Sequence, residues 1–332
     1  MKTIRELLQM ADDTPFLVIN PHANEGKTER KIDDILTISR EVLGDFEYKL
    51  TSELGDGIPI AKQALNEGFK TILAVGGDGT LNEVVNAVAN TDVNIGMIPT
   101  GGSCDAYQTH GIPLNFRRSF EIVSSRHIEK IPIGIAKGDT NRYFIDMVNS
   151  GLAGYVNDHE PTWGKPWLTG NLRYTIMAFE AAFKFKPPLS KVTVDNHTFE
   201  SRLAYFASGL SNIVAGYELL PGNHPKKGKL GVAVIKDIKG FKFLSAMLKL
   251  SVQSIEKNKN AEIVYGNTVT IESETPMTWV AEGEIFSTKS TRVDIGMHTK
   301  KVNLIIPKEW KYDYQSESEK EKARKSIAKG TK

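Results

Sequence analysis

Phosphate chemistry is written most densely around Gly76-Gly77-Asp78-Gly79-Thr80. The apolar run Thr71 to Val75 ends at the first glycine, and Leu81-Asn82-Glu83-Val84-Val85-Asn86-Ala87-Val88 continues with helical spacing. Without Cβ atoms, three glycines let a backbone turn tightly and come close to a ligand, while the N–H groups and positive end of the following helix attract phosphate. A carboxylate is repelled by phosphates unless it holds Mg²⁺ or organises donors around it, and Asp78 is expected to do one or the other. The Thr80 hydroxyl is expected to face a phosphate; in an ordinary strand-to-helix turn it would instead cap the helix.

Two further segments have the same character. Asn20-Pro21-His22-Ala23-Asn24-Glu25-Gly26-Lys27 follows an apolar strand and opens a helix, so Asn20, Pro21 and Gly26 are expected at a nucleotide, with an ordinary turn as the alternative. Thr51, at the end of the second strand, carries the same ambiguity. Pro99-Thr100-Gly101-Gly102-Ser103-Cys104-Asp105 follows the fourth strand. Three such turns on one sheet edge favour a single nucleotide crevice. Cys104, the only cysteine, has no Cys/His arrangement around it and reads as a small buried filler. His22, His110, His159 and His197 lack metal-ligand spacing and read as surface or packing residues.

These segments need a scaffold of alternating strands and helices. Phe16 to Asn20, Phe46 to Thr51, Thr71 to Val75 and Asn94 to Ile98 read as strands, and Lys27 to Leu43, Ile58 to Asn66 and Leu81 to Ala89 as the intervening helices. That is the sign of βαβ units around a mostly parallel sheet, whose ligands sit at the strand C-termini. Beyond Pro113 the runs Ile131 to Ala136, Tyr143 to Val148, Lys191 to Val194, Leu203 to Ser208, Leu230 to Ile235, Ala261 to Ile271, Met277 to Val280 and Thr291 to Ile306 read as mainly antiparallel strands. Helices are expected at about Asn171 to Lys186 and Phe241 to Lys257. A chain of 332 residues exceeds the usual size of one core, so two domains are expected.

With 42 Lys and Arg against 40 Asp and Glu, the net charge of +2 gives no field for nucleic acid, so any anion site must be local. No window is apolar enough to span a bilayer, and Met1 to Asp13 lacks the apolar core of a signal peptide, which makes the cytoplasm the expected compartment. Gln315 to Lys332 is almost without apolar residues and reads as a solvated helix or frayed tail.

Asn20-Pro21…Gly26, Gly76-Gly77-Asp78-Gly79-Thr80 with Asn82-Glu83, and Pro99…Gly101…Asp105 together resemble the diacylglycerol kinase catalytic family, which includes bacterial lipid kinases and sphingosine kinases. The likeness runs from about Phe16 to Pro307. The Gly-Gly-Asp-Gly-Thr turn is shared with NAD kinases, whereas its continuation Leu81 to Asn86 is similar to the lipid kinase branch. The resemblance implies a Rossmann-like α/β nucleotide-binding domain at 14–128, a mainly antiparallel β-sandwich at 129–307 with the active site in the cleft between them, and a polar tail at 308–332. It implies ATP and Mg²⁺ as cofactors, with Asn20, Pro21, Gly26, Thr51, Gly76, Gly77, Asp78, Gly79, Thr80, Asn82, Glu83, Gly101 and Gly102 at the nucleotide and Asp78 at the metal. It implies a lipid hydroxyl, nominally of diacylglycerol, activated by the acid of an Asp-Gly-Glu turn. The matching turn here is Glu282-Gly283-Glu284, with Glu282 as base; Asp105 and Glu284 are expected at the acceptor.

Three departures stand out. Gly102 occupies a position where threonine is usual, Cys104 one where asparagine is usual, and Lys227 one where bacterial members use an acid for a structural Mg²⁺. A nucleotide- or lipid-binding regulatory protein with little turnover therefore stays open as an alternative. An NAD kinase is the nearest enzyme rival, but the Thr-Gly-Ser-Thr-Ala-Tyr type of segment expected of it is missing. For access to lipid, Trp163-Gly164-Lys165-Pro166-Trp167-Leu168 and the aromatic and basic residues after it suggest peripheral attachment to a membrane, with ordinary core-packing helices as the alternative. A homodimer is left open.

Overall fold

The computed structural model describes residues 14–159, 170–214, 217–236, 258–312 and 317–329, together with 238, 240–242 and 245. The chain forms two compact units: one runs to Pro132 and resumes at Lys300, and the other is Ile133–Thr299.

The first unit is built on strands β1 (Phe16–Ile19), β2 (Glu47–Leu50), β3 (Thr71–Gly76) and β4 (Asn94–Pro99), all parallel and arranged in the order β2-β1-β3-β4. β1, β3 and β4 are continuous apolar runs because helices cover both of their faces, whereas all four residues of the edge strand β2 are exposed. The connecting helices are α1 (Ile32–Leu43), α2 (Gly57–Asn66) and α3 (Asp78–Val88), followed after β4 by α4 (Asp105–Thr109) and α5 (Phe116–Ser125). Leu17, Ile19, Ile35, Leu73, Val75, Ile98 and Phe120 fill one core. From β1 the chain steps to β2 on one side and then to β3 on the other. The strand order therefore reverses between β1 and β3, which is where a doubly wound sheet opens a crevice at its strand C-termini.

Two helix starts differ from the pattern in the sequence. The helix expected from Lys27 begins with a single 3₁₀ turn at Glu29–Lys31, because Asn24, Glu25 and Gly26 have φ of 55°, 57° and 77°, and a left-handed run does not propagate a right-handed helix. The helix expected from Leu81 begins three residues earlier, at Asp78, with the extended Gly77 as its N-cap. Gly79 and Thr80 therefore lie in its first turn. The short helices α4 and α5 were not legible in the sequence; the Asn115 side chain caps α5 by accepting the Arg118 N–H.

The second unit is antiparallel throughout its recorded pairings. Its strands are β5 (Ile128–Lys137, entering from the first unit), β6 (Asn141–Phe144), β7 (Met147–Gly151), β8 (Leu189–Val194), β9 (His197–Gly209), the small hairpin β10 (Ile213–Val214) and β11 (Tyr217–Glu218), β12 (Leu230–Lys236), β13 (Ala261–Gly266), β14 (Thr268–Ser273), β15 (Trp279–Ala281), β16 (Glu284–Ser287) and β17 (Arg292–Ile305, which continues into the first unit). β12 separates two cores. Leu230, Val232 and Val234 join Phe144, Phe206 and Trp279 on one side, while Ala233 and Ile235 join Tyr205, Leu220 and Leu152 on the other. Helices α6 (Leu152–Asp158) and α7 (Gly170–Lys184) belong to this unit, the second close to its expected span. Trp163 to Leu168 and most of the helix expected over Phe241 to Lys257 lie outside the described residues.

The domain limits read from the sequence, 128/129 and 307/308, differ from these units at both crossings. The chain crosses at 132/133 and returns at 299/300, so 300–307, expected in the second domain, packs with the first. Asn303 and Leu304 of β17 pair in parallel with β4, and Ile305 enters the core of β1 and β3. The segment expected to begin a polar tail carries buried Trp310 and Tyr312. The indole N–H of Trp310 donates to Thr109 O at 3.0 Å, and the Tyr312 hydroxyl lies 2.6 Å from Nδ1 of His110, which burial holds neutral with its pKa down at about 3. The Trp310 ring covers Gly111, whose φ of 76° and lack of a side chain allow that approach. The polar helix α8 (Glu317–Lys329) follows, with Ile327 buried.

Trp310→Ala is expected to cost about 3–5 kcal/mol, as for a buried large aromatic. Amide hydrogen exchange is the measurement: protection should fall in β3 and β4 while β9 and β12 keep theirs.

Candidate functional site

At the reversal between β1 and β3, the residues expected at a nucleotide come into contact. The Asn20 side-chain amide donates to Thr80 Oγ at 3.1 Å, while its oxygen accepts the His22 N–H at 2.9 Å. Thr80 accepts in this bond and so keeps its own proton to donate elsewhere. A Cβ on Gly76 would lie 2.2 Å from Thr80 Oγ, and one on Gly101 would lie 2.4 Å from Gly77 Cα. None of Gly76, Gly77, Gly101 and Gly102 has a left-handed φ. At Gly76 and Gly101 glycine therefore provides space for the close approach of two turns. Gly102 has no atom within 4 Å of its Cβ position.

Asp78 ties the two turns together. Its Oδ2 accepts the Asp105 N–H and the Ser103 hydroxyl, both at 3.1 Å, and its Oδ1 accepts the Ala106 N–H at 3.0 Å. The carboxylate thus lies across the start of α4 and acts as a cap supplied from a distant part of the chain. Tyr107 adds a bond from its hydroxyl to Gly77 O at 3.2 Å. Desolvation, and then the Asp105 carboxylate, push the Asp78 pKa up to about 6 against the pull of these three bonds. Of the two roles expected for Asp78, organising donors is the one this geometry contains. As hard oxygen donors beside a second acid, Asp78 and its neighbour also suit Mg²⁺, which would relieve their repulsion.

Cys104, before α4, is left-handed at φ 51° and ψ 47°, a conformation asparagine adopts more readily. Its thiol is buried 3.9 Å from Gly76 O, and desolvation followed by the Asp78 charge pushes its pKa up to about 12. It is an inert filler, as its surroundings in the sequence suggest.

Other expected nucleotide residues serve the scaffold. Glu83 is buried and its carboxylate accepts the Gly55 and Gly57 N–H groups at 2.9 and 2.6 Å, anchoring the start of α2. Asn82 is fully buried and accepts from the Asn86 amide. Pro21 O accepts the Glu29 N–H, and Gly26 closes the left-handed run before it. Thr51 is buried at the end of β2, with its N–H on Ile19 O. The hydroxyls of Thr51 and Thr100 are buried without hydrogen-bond partners at the same end of the sheet. Thr100 and Tyr107 were not singled out in the sequence; Thr100 sits inside the Pro99 to Asp105 motif, which was the available signal.

In the second unit, Glu282 and Gly283 form a two-residue link between β15 and β16, where Ala281 pairs with Glu284. Their φ values of 51° and 89° put both in the left-handed region, as a tight hairpin of this length requires. Glutamate is unusual in that conformation, and such strain gathers at functional positions. Glu282 is buried, and its Oε1 accepts the Ile145 and Asp146 N–H groups at 2.5 and 2.6 Å, so the carboxylate is fixed against the entry to β7. Glu284 forms a largely buried ion pair with Arg142. Lys227 is exposed in the 3₁₀ turn Pro225–Lys227.

Residues 14–136 match the family described as diacylglycerol kinase catalytic domain, and residues 146–304 match the YegS C-terminal NAD kinase beta sandwich-like domain. A diacylglycerol kinase of Staphylococcus aureus (strain bovine RF122 / ET3-1) is 26% identical over 272 residues, covering 81% of this chain and 85% of its own length. Among solved structures, a putative diacylglycerol kinase from Bacillus anthracis str. Sterne aligns over 89% of this chain and 98% of its own, with a TM-score of 0.70 and 20% identity. An NAD kinase from Archaeoglobus fulgidus in complex with ATP aligns over 93% and 99%, with a TM-score of 0.50 and 13% identity. The fold expected from the sequence, a mixed α/β domain followed by a mainly antiparallel β-sandwich, is the fold these proteins share.

Two outcomes follow from the geometry. Gly101→Ala should force Gly77 away, costing about 2 kcal/mol in denaturant unfolding and weakening nucleotide binding, whereas Gly102→Ala should change stability by less than about 0.5 kcal/mol. Because the folded-state pKa of Asp78 is raised, its protonated form favours folding; that stability is present in acid and is lost as pH rises through about 6. Relative to Asp78→Asn, the unmodified chain should therefore gain about 2 kcal/mol between pH 8 and pH 4, measured by chemical denaturation without nucleotide or metal.

Proposed function

We propose that this chain, a member of the diacylglycerol kinase catalytic-domain family, transfers the γ-phosphoryl group of ATP to the hydroxyl of a lipid, nominally diacylglycerol. The observation that carries the reading is the joining of Asn20, Thr80 and the two glycine turns through Asp78 at the strand reversal. The N-terminus of α3 has no side-chain cap, which leaves its dipole and N–H groups suited to phosphate. The Thr80 proton and the buried Thr51 and Thr100 hydroxyls are further donors at that end of the sheet. Phosphoryl transfer asks mainly for positioning and charge compensation. Mg²⁺ held with the help of Asp78 would offset phosphate charge.

Glu282 is the proposed acceptor of the hydroxyl proton. Its Oε1 is oriented by two backbone N–H groups, so the side chain is held in one place. Glu284, neutralised by Arg142, is proposed to shape the acceptor end. Among the described residues no helix is long and apolar enough to cross a membrane, so the lipid is reached at a membrane surface in this reading.

The open space at Gly102 favours one second reading, a nucleotide-binding protein with low turnover that lacks a hydroxyl its relatives use. Incorporation of labelled γ-phosphate into a mixed lipid extract separates the two. The unmodified chain should label a lipid, with Glu282→Gln reducing turnover by at least about 100-fold at nearly unchanged ATP affinity. ATP binding without any labelled lipid would support the second reading, and Gly102→Thr should then raise turnover by about 10-fold.

A further inference from the structure

Helix α4 carries two of the donors that hold Asp78, yet its five residues fall short of the roughly 12 to 15 at which a helix begins to be stable by itself. Its position is therefore decided by what holds its ends. The N-terminal end meets Asp78, and the Tyr107 hydroxyl reaches Gly77 O from within the helix. At the C-terminal end the backbone closes on itself. With Gly111 left-handed at φ 76°, the Ile112 N–H donates to Tyr107 O at 2.9 Å, the Gly111 N–H to Gln108 O at 3.1 Å and the His110 N–H to Ala106 O at 3.1 Å. Thr109 O is the last carbonyl of the helix. It accepts the indole N–H of Trp310, 201 residues further along the chain.

The same C-terminal segment fixes His110. The ring is fully buried, its Nε2 has no hydrogen-bond partner, and its Nδ1 lies 2.6 Å from the Tyr312 hydroxyl, which therefore sets the orientation of the ring. The two rings meet edge to face with centroids 5.6 Å apart, and the Trp310 ring lies 6.5 Å from that of Tyr312. A side chain on Gly111 would come within 2.4 Å of the indole, so Trp310 presses on the backbone at the turn that ends α4. The helix is thus a short strut inside the first unit. Trp310 and Tyr312 bear on one end of it, and Asp78 with the two glycine turns bears on the other.

We propose that Tyr312 and Trp310 are positioning residues for the phosphate site: acting through α4, they set where Asp78 and the turns at Gly77 and Gly101 stand when a nucleoside triphosphate is bound. Both act from the end of α4 opposite the phosphate turns. Phosphoryl transfer depends on positioning, and a misplacement of about 1 Å can cost about 100-fold in rate, so a small movement of the strut reaches the chemistry. The inference rests on the nucleotide-binding part of the reading given above and adds a determinant from the other end of the chain.

Tyr312→Phe removes one oxygen and keeps the ring, leaving Nδ1 of His110 buried without that partner. Ile35→Val, on α1 in the core of the same unit, is the control for lost stability alone. Amide exchange reads the strut without any ligand. The Asp105 and Ala106 N–H groups, which Asp78 accepts, should exchange at least about 10-fold faster in Tyr312→Phe and less than about twofold faster in Ile35→Val. Calorimetric titration with ATP and Mg²⁺ should show affinity reduced at least about fivefold in Tyr312→Phe and unchanged in Ile35→Val. Trp310→Phe, which takes the indole N–H from Thr109 O, should act in the same direction as Tyr312→Phe. With labelled ATP at saturation, kcat per folded molecule should fall at least about 10-fold in Tyr312→Phe and stay unchanged in the control. If no sample labels lipid, the unmodified chain included, the lipid kinase reading fails while the exchange and affinity changes still support the strut. Exchange or ATP affinity alike in Tyr312→Phe and Ile35→Val would overturn the proposal, as would an unmodified chain that binds no ATP.

Discussion

The Asp78 carboxylate accepts the first two N–H groups of α4, and the arrangement at the C-terminal end of the parallel sheet depends on this bond across the fold. Asp78 begins α3 and lies next to the glycine turn, while α4 begins immediately after the second glycine turn. One side chain thus fixes two backbone segments that are nearly thirty residues apart in sequence. It does so under tension, since desolvation and the Asp105 charge oppose the ionised form that makes the bonds strong. A group held this way responds to whatever cation or anion comes near it.

Much of this was legible in the sequence because the informative signals are local. β1, β3 and β4 announce themselves as apolar runs ending in glycine or a polar residue, whereas the order β2-β1-β3-β4 that makes the reversal is set by pairing between strands and is not written in any one of them. The glycine turns were found for the same reason. What escaped were choices made by distant partners. Glu83 stands within a motif that suggested nucleotide contact, yet its carboxylate serves the amides of Gly55 and Gly57. No spacing in the chain announces that pairing. The short helix α4 was likewise invisible, because its start is completed by Asp78 and its far end is braced by Trp310 and Tyr312.

Glu282 illustrates a different limit. Its place in a tight turn before glycine was readable, but the turn alone does not distinguish a solvated hairpin from a fixed acid. Burial and the two amides of Ile145 and Asp146 decide it, and they arrive from the link between β6 and β7, more than a hundred residues earlier. The left-handed backbone at Glu282 costs energy that the surrounding pairing must offset.

The return of the chain to its first unit has a bearing on biosynthesis. Ile133–Thr299 is continuous, so this second unit is complete in covalent terms while the first still lacks its fifth strand partner, Ile305, Trp310 and Tyr312. Domains generally fold in the order in which they leave the ribosome, with the N-terminal one first. Here that order is inverted at the point of completion: the unit that starts first finishes last. A nascent chain therefore carries an unfinished parallel sheet until 300–312 have been made, and a chain stopped at Thr299 would be damaged in the unit that was synthesised first.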